Sequence, residues 1–194
     1  QIELGFQANE NKPVLYTHDN YGHRIDEVRF HPAYHRLMQI STEHGLHAAH
    51  WRKPQPGAHV ARAAMCYLQN QVEAAHGCPI TMTSAVVPAL QQQPELAAQW
   101  LPKITALQYD HRNIPMEQKR AITVGMAMTE KQGGSDVRAN TLRAHALGAS
   151  GPGQGAVDST DNNGHLARSG RCVSGIAAKL VPYKPKHKVR FVTA

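Results

Sequence analysis

Apolar positions in the first two thirds of the chain recur mostly at helical spacing, and near residue 122 the period shortens to two. Val28, Phe30, Tyr34, Leu37, Met38 and Ile40 form one stripe, with Asp26 available as a cap and Pro32 in the early turns, where proline is tolerated. Pro54-Gln55-Pro56-Gly57 breaks the chain. After it, Val60, Ala61, Ala64, Met65, Leu68, Val72 and Ala75 mark an amphipathic helix over residues 59–76, which Gly77 is placed to end. Met65 and Leu68 read as core. Cys78-Pro79-Ile80-Thr81-Met82-Thr83 opens a third helix toward Leu90, capped by Thr81 or Thr83. A fourth begins at Gln93-Pro94-Glu95 and carries Leu96, Trp100 and Leu101 before Pro102. Residues 1–21, with Asn9, Asn11, Pro13, Asp19 and Asn20, read as an extended arm with turns, and residues 109–120 as a polar connection from helices to sheet.

Ile122, Val124, Met126 and Met128 alternate with smaller residues, which favours a strand, although so short a run also fits a helix. Gly133 and Gly134 then break the chain, flanked by Thr129 and Ser135. Two hydroxyls and successive turn amides can hold an anionic or carbonyl-rich ligand. An ordinary β-turn with a capping Ser-Asp pair accounts for the same residues. No Gly-Lys-Ser/Thr and no G-x-G-x-x-G opening a helix occurs here, so neither common nucleotide loop is present. Residues 137–146 suit a second strand, antiparallel to the first. The following GASGPGQGAVDSTDNNGHLARSG has the composition of a linker.

Ala127-Met128-Thr129-Glu130, Gly133-Gly134-Ser135-Asp136 and Ala139 resemble the first signature of acyl-CoA dehydrogenases, at that family's spacing. MTEKQGGSDV, with VRFHPAYHRLMQ at residues 28–39 and CPITMT at residues 78–83, is similar to the AidB-like adaptive-response branch. The resemblance runs from about residue 11 to residue 144. It implies an α+β fold: an N-terminal helical domain over 1–120 including the arm at 1–25, the start of a middle β-domain with a flavin loop over 121–146, and a Gly-rich linker and basic tail over 147–194 whose composition suits disorder. It implies FAD as cofactor, held by Met126, Met128, Thr129, Gly134 and Ser135. Thr129 is then expected at the pyrimidine edge and Ser135 near the pyrophosphate or acyl-CoA. The physical ground is that a reduced flavin gains charge along that edge, where a donor tunes it. The helix toward Leu90 is expected near the acyl chain and flavin.

The implied reaction is α,β-oxidation of an acyl-CoA-type substrate. The family takes its catalytic base from a C-terminal bundle that has no counterpart here, so no catalytic residue is assigned and the chain is expected to be truncated and inactive alone. Glu130 is read as structural, Glu73 and Glu95 as solvated helix acids. After residue 146 the family's Gly-x-Lys-x-Trp/Phe segment is missing. A homo-oligomer is expected of the complete family member.

Charge adds a second reading. The 194 residues carry a formal charge of +7 with a pI near 9.5. Much of the excess lies at Arg168, Arg171, Lys179, Lys184, Lys186, Lys188 and Arg190, a tail able to neutralise nucleic-acid phosphates without sequence preference. The AidB-like branch is associated with DNA protection, which makes DNA binding an alternative function; a non-catalytic interaction fragment is another. Few aromatics interleave with those cations, so base stacking is disfavoured. Cys66, Cys78 and Cys172 form no paired motif, which favours a reducing, cytoplasmic setting. No run approaches the ~20 apolar residues of a membrane span. The chain starts at Gln1, which suggests a processed or fragmentary product. His31 with His35, and His44 with His47 and His50, have spacings that can share a helix face, but no His-Glu-x-x-His motif is present and no metal is assigned.

Overall fold

The computed structural model describes residues 1–127, Ser135, and the strands at 143–146, 157–160 and 190–192. Along the chain run α1 (Ile2–Glu10), β1 (Val14–His18), β2 (Arg24–Arg29), α2 (Pro32–Glu43), α3 (Ala49–Arg52), α4 (Ala58–Asn70), α5 (Gly77–Leu90), α6 (Pro94–Ile104) and a 3-10 turn (Met116–Gln118). The strands β3 (Gly125–Ala127), β4 (Arg143–Ala146), β5 (Val157–Thr160) and β6 (Arg190–Val192) follow. The class is α+β, mostly helical, with two-stranded antiparallel pairs β1–β2, β3–β6 and β4–β5.

The helical platform packs around α5. Its buried residues Ile80, Thr83, Ser84, Val86, Val87 and Leu90 share one face of the helix, while Cys78, Thr81, Ala85 and Pro88 on the opposite face are exposed. Val86, Val87 and Leu90 meet Trp100 and Ile104 of α6 together with Met116, Ile122 and Val124. A second cluster joins Met38 of α2, Leu46 and Ile80, with Tyr34, Met65 and Tyr109 against it. Pro88 lies inside α5 and leaves the Ser84 carbonyl without its usual i+4 donor. The Trp51 indole N–H donates to that carbonyl instead, at 3.0 Å, tying α3 to α5.

Several expectations are corrected. The arm read as extended over residues 1–21 instead forms α1 and β1, the first strand of a hairpin. Packing, not periodicity, holds α1, because Gly5 comes so close to the Val72 carbonyl that a Cβ there would sit 2.1 Å from its oxygen. Gly5→Ala is therefore expected to displace α1 and cost about 1–3 kcal/mol, as overpacked sites do, read as a lower midpoint in chemical denaturation.

Asp26 caps no helix. It lies in β2 with φ of 46° and pairs with Arg24 at 2.6 Å, while the half-exposed Val28 belongs to the same strand and not to a helical stripe. The helix starts later, at Pro32, where the His31 ring nitrogen Nδ1 accepts from the Ala33 amide.

The helix expected over 59–76 stops at Asn70, and Gly77 opens α5 instead of closing its predecessor. Thr81 and Thr83 accordingly lie inside α5 and do not cap it. Leu68 is 65% exposed, contrary to its reading as core, whereas Met65 does pack on the second cluster. The reason is that α4 turns Arg62, Met65, Cys66 and Gln69 toward the platform. Arg62 Nε donates to the Leu46 carbonyl and Gln69 reaches His76. Six α-helices, not four, precede β3 among the described residues.

β3 is shorter than the alternation suggested. Ile122 and Val124 are buried ahead of it in irregular backbone. The strand at 143–146 pairs with β5 and not with β3, whose partner is β6 from the stretch read as an irregular tail. Strand pairing is set by contacts distant in sequence, which local alternation does not encode.

Candidate flavin-loop site

The segment that carries the chain from the helices into β3 is held by three sets of polar bonds. Asp110, buried, gathers four donors: Arg112 Nε at 2.8 Å, an Arg112 terminal nitrogen at 2.6 Å, the Arg112 amide at 3.3 Å and the Arg120 amide at 2.9 Å. The Arg112 guanidinium first, and the two amides after it, hold the Asp110 carboxyl far below the usual carboxylate range against the opposing effect of burial. One side chain thus closes the loop from 110 to 120. The Lys103 ammonium donates to the Met116 and Glu117 carbonyls at 2.7 and 2.9 Å, and the Ile122 amide donates to the Lys103 carbonyl at 3.3 Å. The Val124 amide then donates to the Thr83 hydroxyl at 2.9 Å, with both residues 1% exposed.

Behind this approach lies a small cavity with a mixed lining that includes Thr42, His47, Ile80, Thr83, Asp110 and Ile122. His47 Nε2–H donates to the Ala106 carbonyl at 3.0 Å, which fixes the tautomer and leaves Nδ1 without a partner among the described residues. Burial lowers the pKa of His47, and that of His50 falls to about 4, first through burial and then through Arg62 and neighbouring histidines. His35 Nδ1 meets the Tyr109 hydroxyl at 2.9 Å. Burial pushes the phenol of Tyr34 up to about 12. Among the described residues no group of three or more His, Cys, Asp or Glu side chains is placed to hold a metal ion.

A second buried network lies at the start of α5. Glu73 Oε2 accepts from the His76 amide at 2.8 Å and from His76 Nδ1 at 2.7 Å, and Oε1 accepts from the Ala75 amide at 2.6 Å. His76 Nε2 meets Ser41 Oγ at 3.1 Å and Gln69 Nε2 at 3.3 Å. Burial raises the Glu73 carboxyl, but these hydrogen bonds outweigh it and hold the group below its ordinary value. The expectation that Glu73 is solvated is thus wrong: it is 4% exposed. Ser, His and Glu stand in the order of a nucleophile triad, yet Ser41 is 1% exposed and no substrate reaches its hydroxyl. The network is a clasp between α2, the end of α4 and the start of α5. Glu95, by contrast, is exposed in the first turn of α6.

Of the residues expected at a flavin, Met126 lies in β3 and Ser135 in an exposed turn. Met128, Thr129 and Gly134 lie outside the described residues. The visible part fits a phosphate-bearing cofactor in one respect: the Ser135 hydroxyl is exposed, available to an anionic oxygen. The residues that anchor this segment without having been singled out for it in the sequence are Thr83 and Asp110. The signal for Asp110 was its position two before Arg112 in a polar connection. Thr83 was read only as a possible helix cap beside Thr81, and its bond to the Val124 amide had no local signal.

Comparison with known proteins fits this geometry. Among solved structures, the apo form of Bd2924 superposes with a TM-score of 0.67 at 25% identity, covering 81% of this chain and 30% of that one. Caenorhabditis elegans ACDH-11 in complex with C11-CoA gives 0.64 at 21% identity, covering 85% and 30%. The fold is that of the N-terminal part of acyl-CoA dehydrogenases. A family model, the N-terminal domain of adaptive response protein AidB, matches residues 1–111. The chain is 48% identical over 148 residues to the putative acyl-CoA dehydrogenase AidB of Escherichia coli strain K12, covering 75% of this chain and 27% of that protein. It is 27% identical over 141 residues to acyl-CoA dehydrogenase family member 11 of C. elegans, covering 69% and 21%. The chain belongs to the AidB-like branch of the acyl-CoA dehydrogenase family and corresponds to its N-terminal portion. It spans about a quarter of the length of these curated relatives.

Proposed function

We propose that this chain supplies the helical wall and flavin-edge loop of an FAD-dependent dehydrogenase acting on an acyl-CoA-type thioester. The observation that carries the reading is the fixed departure of β3: Ile122 and Val124 are buried and tethered, and the signature begins three residues after Val124, at Ala127. A loop anchored at its base can present amides and hydroxyls to a ligand with little loss of conformational freedom on binding. Thr129 donates to the flavin pyrimidine edge in this reading, and the Ser135 hydroxyl donates to the pyrophosphate or the acyl-CoA. When bound, FAD supplies the hydride acceptor of the dehydrogenation. A relative of the same fold is known in complex with C11-CoA, which supports an acyl-CoA-type ligand.

The experiment is a titration of FAD with the purified chain, followed by flavin fluorescence. Saturable quenching, weakened about 3- to 10-fold in Thr129→Ala and Ser135→Ala, is the expected outcome, the loss of one hydrogen bond being worth about that much. Quenching indifferent to both substitutions sinks the assignment of these residues.

A further inference from the structure

We propose that Thr83 is the positioning residue of the flavin-edge loop: its hydroxyl, on α5, fixes the register in which the chain enters β3. The inference rests on the flavin reading above and adds a residue that touches no ligand itself.

The hydroxyls of two other threonines in the platform turn back on their own helices. Thr42 Oγ1 bonds the Met38 and Gln39 carbonyls, and Thr105 Oγ1 bonds the Leu101 carbonyl. Thr83 Oγ1 instead accepts the amide of a residue 41 positions away. Val124 packs among Val86, Val87, Met116 and Ile122, where an unmet N–H is costly, so the hydroxyl is the group that lets this backbone be buried at all. The second tether, Ile122 to the Lys103 carbonyl, is longer at 3.3 Å and sits one strand repeat earlier.

Register is the quantity at stake. Side chains alternate with a period of two, so a slip of one residue at Val124 exchanges the faces of every residue in the strand that follows. Gly125–Ala127 of β3 follow Val124 directly, and the register of that strand inherits any error at its base. Valine at position 83 keeps the volume and removes the acceptor; serine keeps the acceptor and removes a methyl group.

The test uses the full chain in three forms: native, Thr83→Val and Thr83→Ser. Flavin fluorescence titration is expected to show about 3- to 10-fold weaker FAD binding in Thr83→Val and near-native binding in Thr83→Ser. Amide exchange is expected to quicken at residues 124–127 in Thr83→Val while α2 and α6 keep native protection. Equal FAD affinity in all three forms overturns the proposal. So does native exchange at 124–127 in the valine form, a result that bears on Thr83 alone and needs no flavin. A native chain that binds no FAD overturns the flavin reading, and with it the role of Thr83 toward the cofactor.

Discussion

Glu73→Ala is expected to destabilise the folded chain by about 3–5 kcal/mol, the range for removing one partner from a buried ionic or hydrogen-bonded group. The alanine strands the Ala75 and His76 amides and the His76 Nδ1 donor, with His76 at 0% exposure. It also frees the corner that ends α4 and starts α5, so the loss extends to the seat of α1, which packs on the Val72 carbonyl. For a chain of this size each kcal/mol lowers the thermal midpoint by roughly 2–4 °C. A calorimetric midpoint within a degree of the native one shows that the clasp contributes nothing. Glu73→Gln retains an acceptor oxygen and is expected to lose less than the alanine form.

The second large effect is at Asp110. Asp110→Ala removes the acceptor of four donors and is expected to cost about 2–3 kcal/mol. The figure is lower than for Glu73 because the Arg112 side chain is about half exposed and its charge returns to water. The Arg120 amide then loses its anchor, and the entry to β3 loosens. Denaturant midpoints measure the stability; the same variant is expected to weaken FAD binding, since the loop base has lost its support.

Acid sensitivity follows with a definite sign. The folded pKa values of Asp110 and Glu73 lie below their ordinary 3.8 and 4.5. Their stabilisation is therefore complete above those values and disappears as pH falls through the folded ones. His50 acts at higher pH: unfolded it takes a proton near 6.5, folded only near 4, so stability declines as pH drops between these values and levels off below. Urea unfolding across pH 7 to 3 is expected to show a decline from about 6.5 and a second below about 4 in the native chain. In Asp110→Ala the second decline is smaller. A native profile flat down to pH 4 contradicts the assignment of His50 as a buried, uncharged histidine.

The sequence made the platform legible where apolar spacing was regular and a breaker stood at each end. Leu37, Met38 and Trp100 are core as their spacing implied, and Pro94 opens α6. α1 was not legible because it is seated by contacts distant in sequence, among them the close approach of Gly5 to the Val72 carbonyl. α4 misled because apolar residues lie on two of its faces: Met65 meets the platform while Val60, Tyr67 and Leu68 face outward. The Glu73–His76 spacing is ordinary on a helix, and only its burial distinguishes it. For the site, most of the family signature lies outside the described residues, and the Thr83 bond joins residues that no local pattern relates. Among the described residues no helix is long and apolar enough to cross a membrane.

The central claim, that this chain builds one wall of a flavin site, is most directly tested by hydrogen exchange of the full chain with and without FAD, read by mass spectrometry. Slowed exchange over residues 124–136 is expected, with α1 and the β1–β2 hairpin unchanged. Protection confined to the basic stretch from 168 to 190, or none anywhere, contradicts it: the first outcome is binding by charge alone, the second is no flavin site.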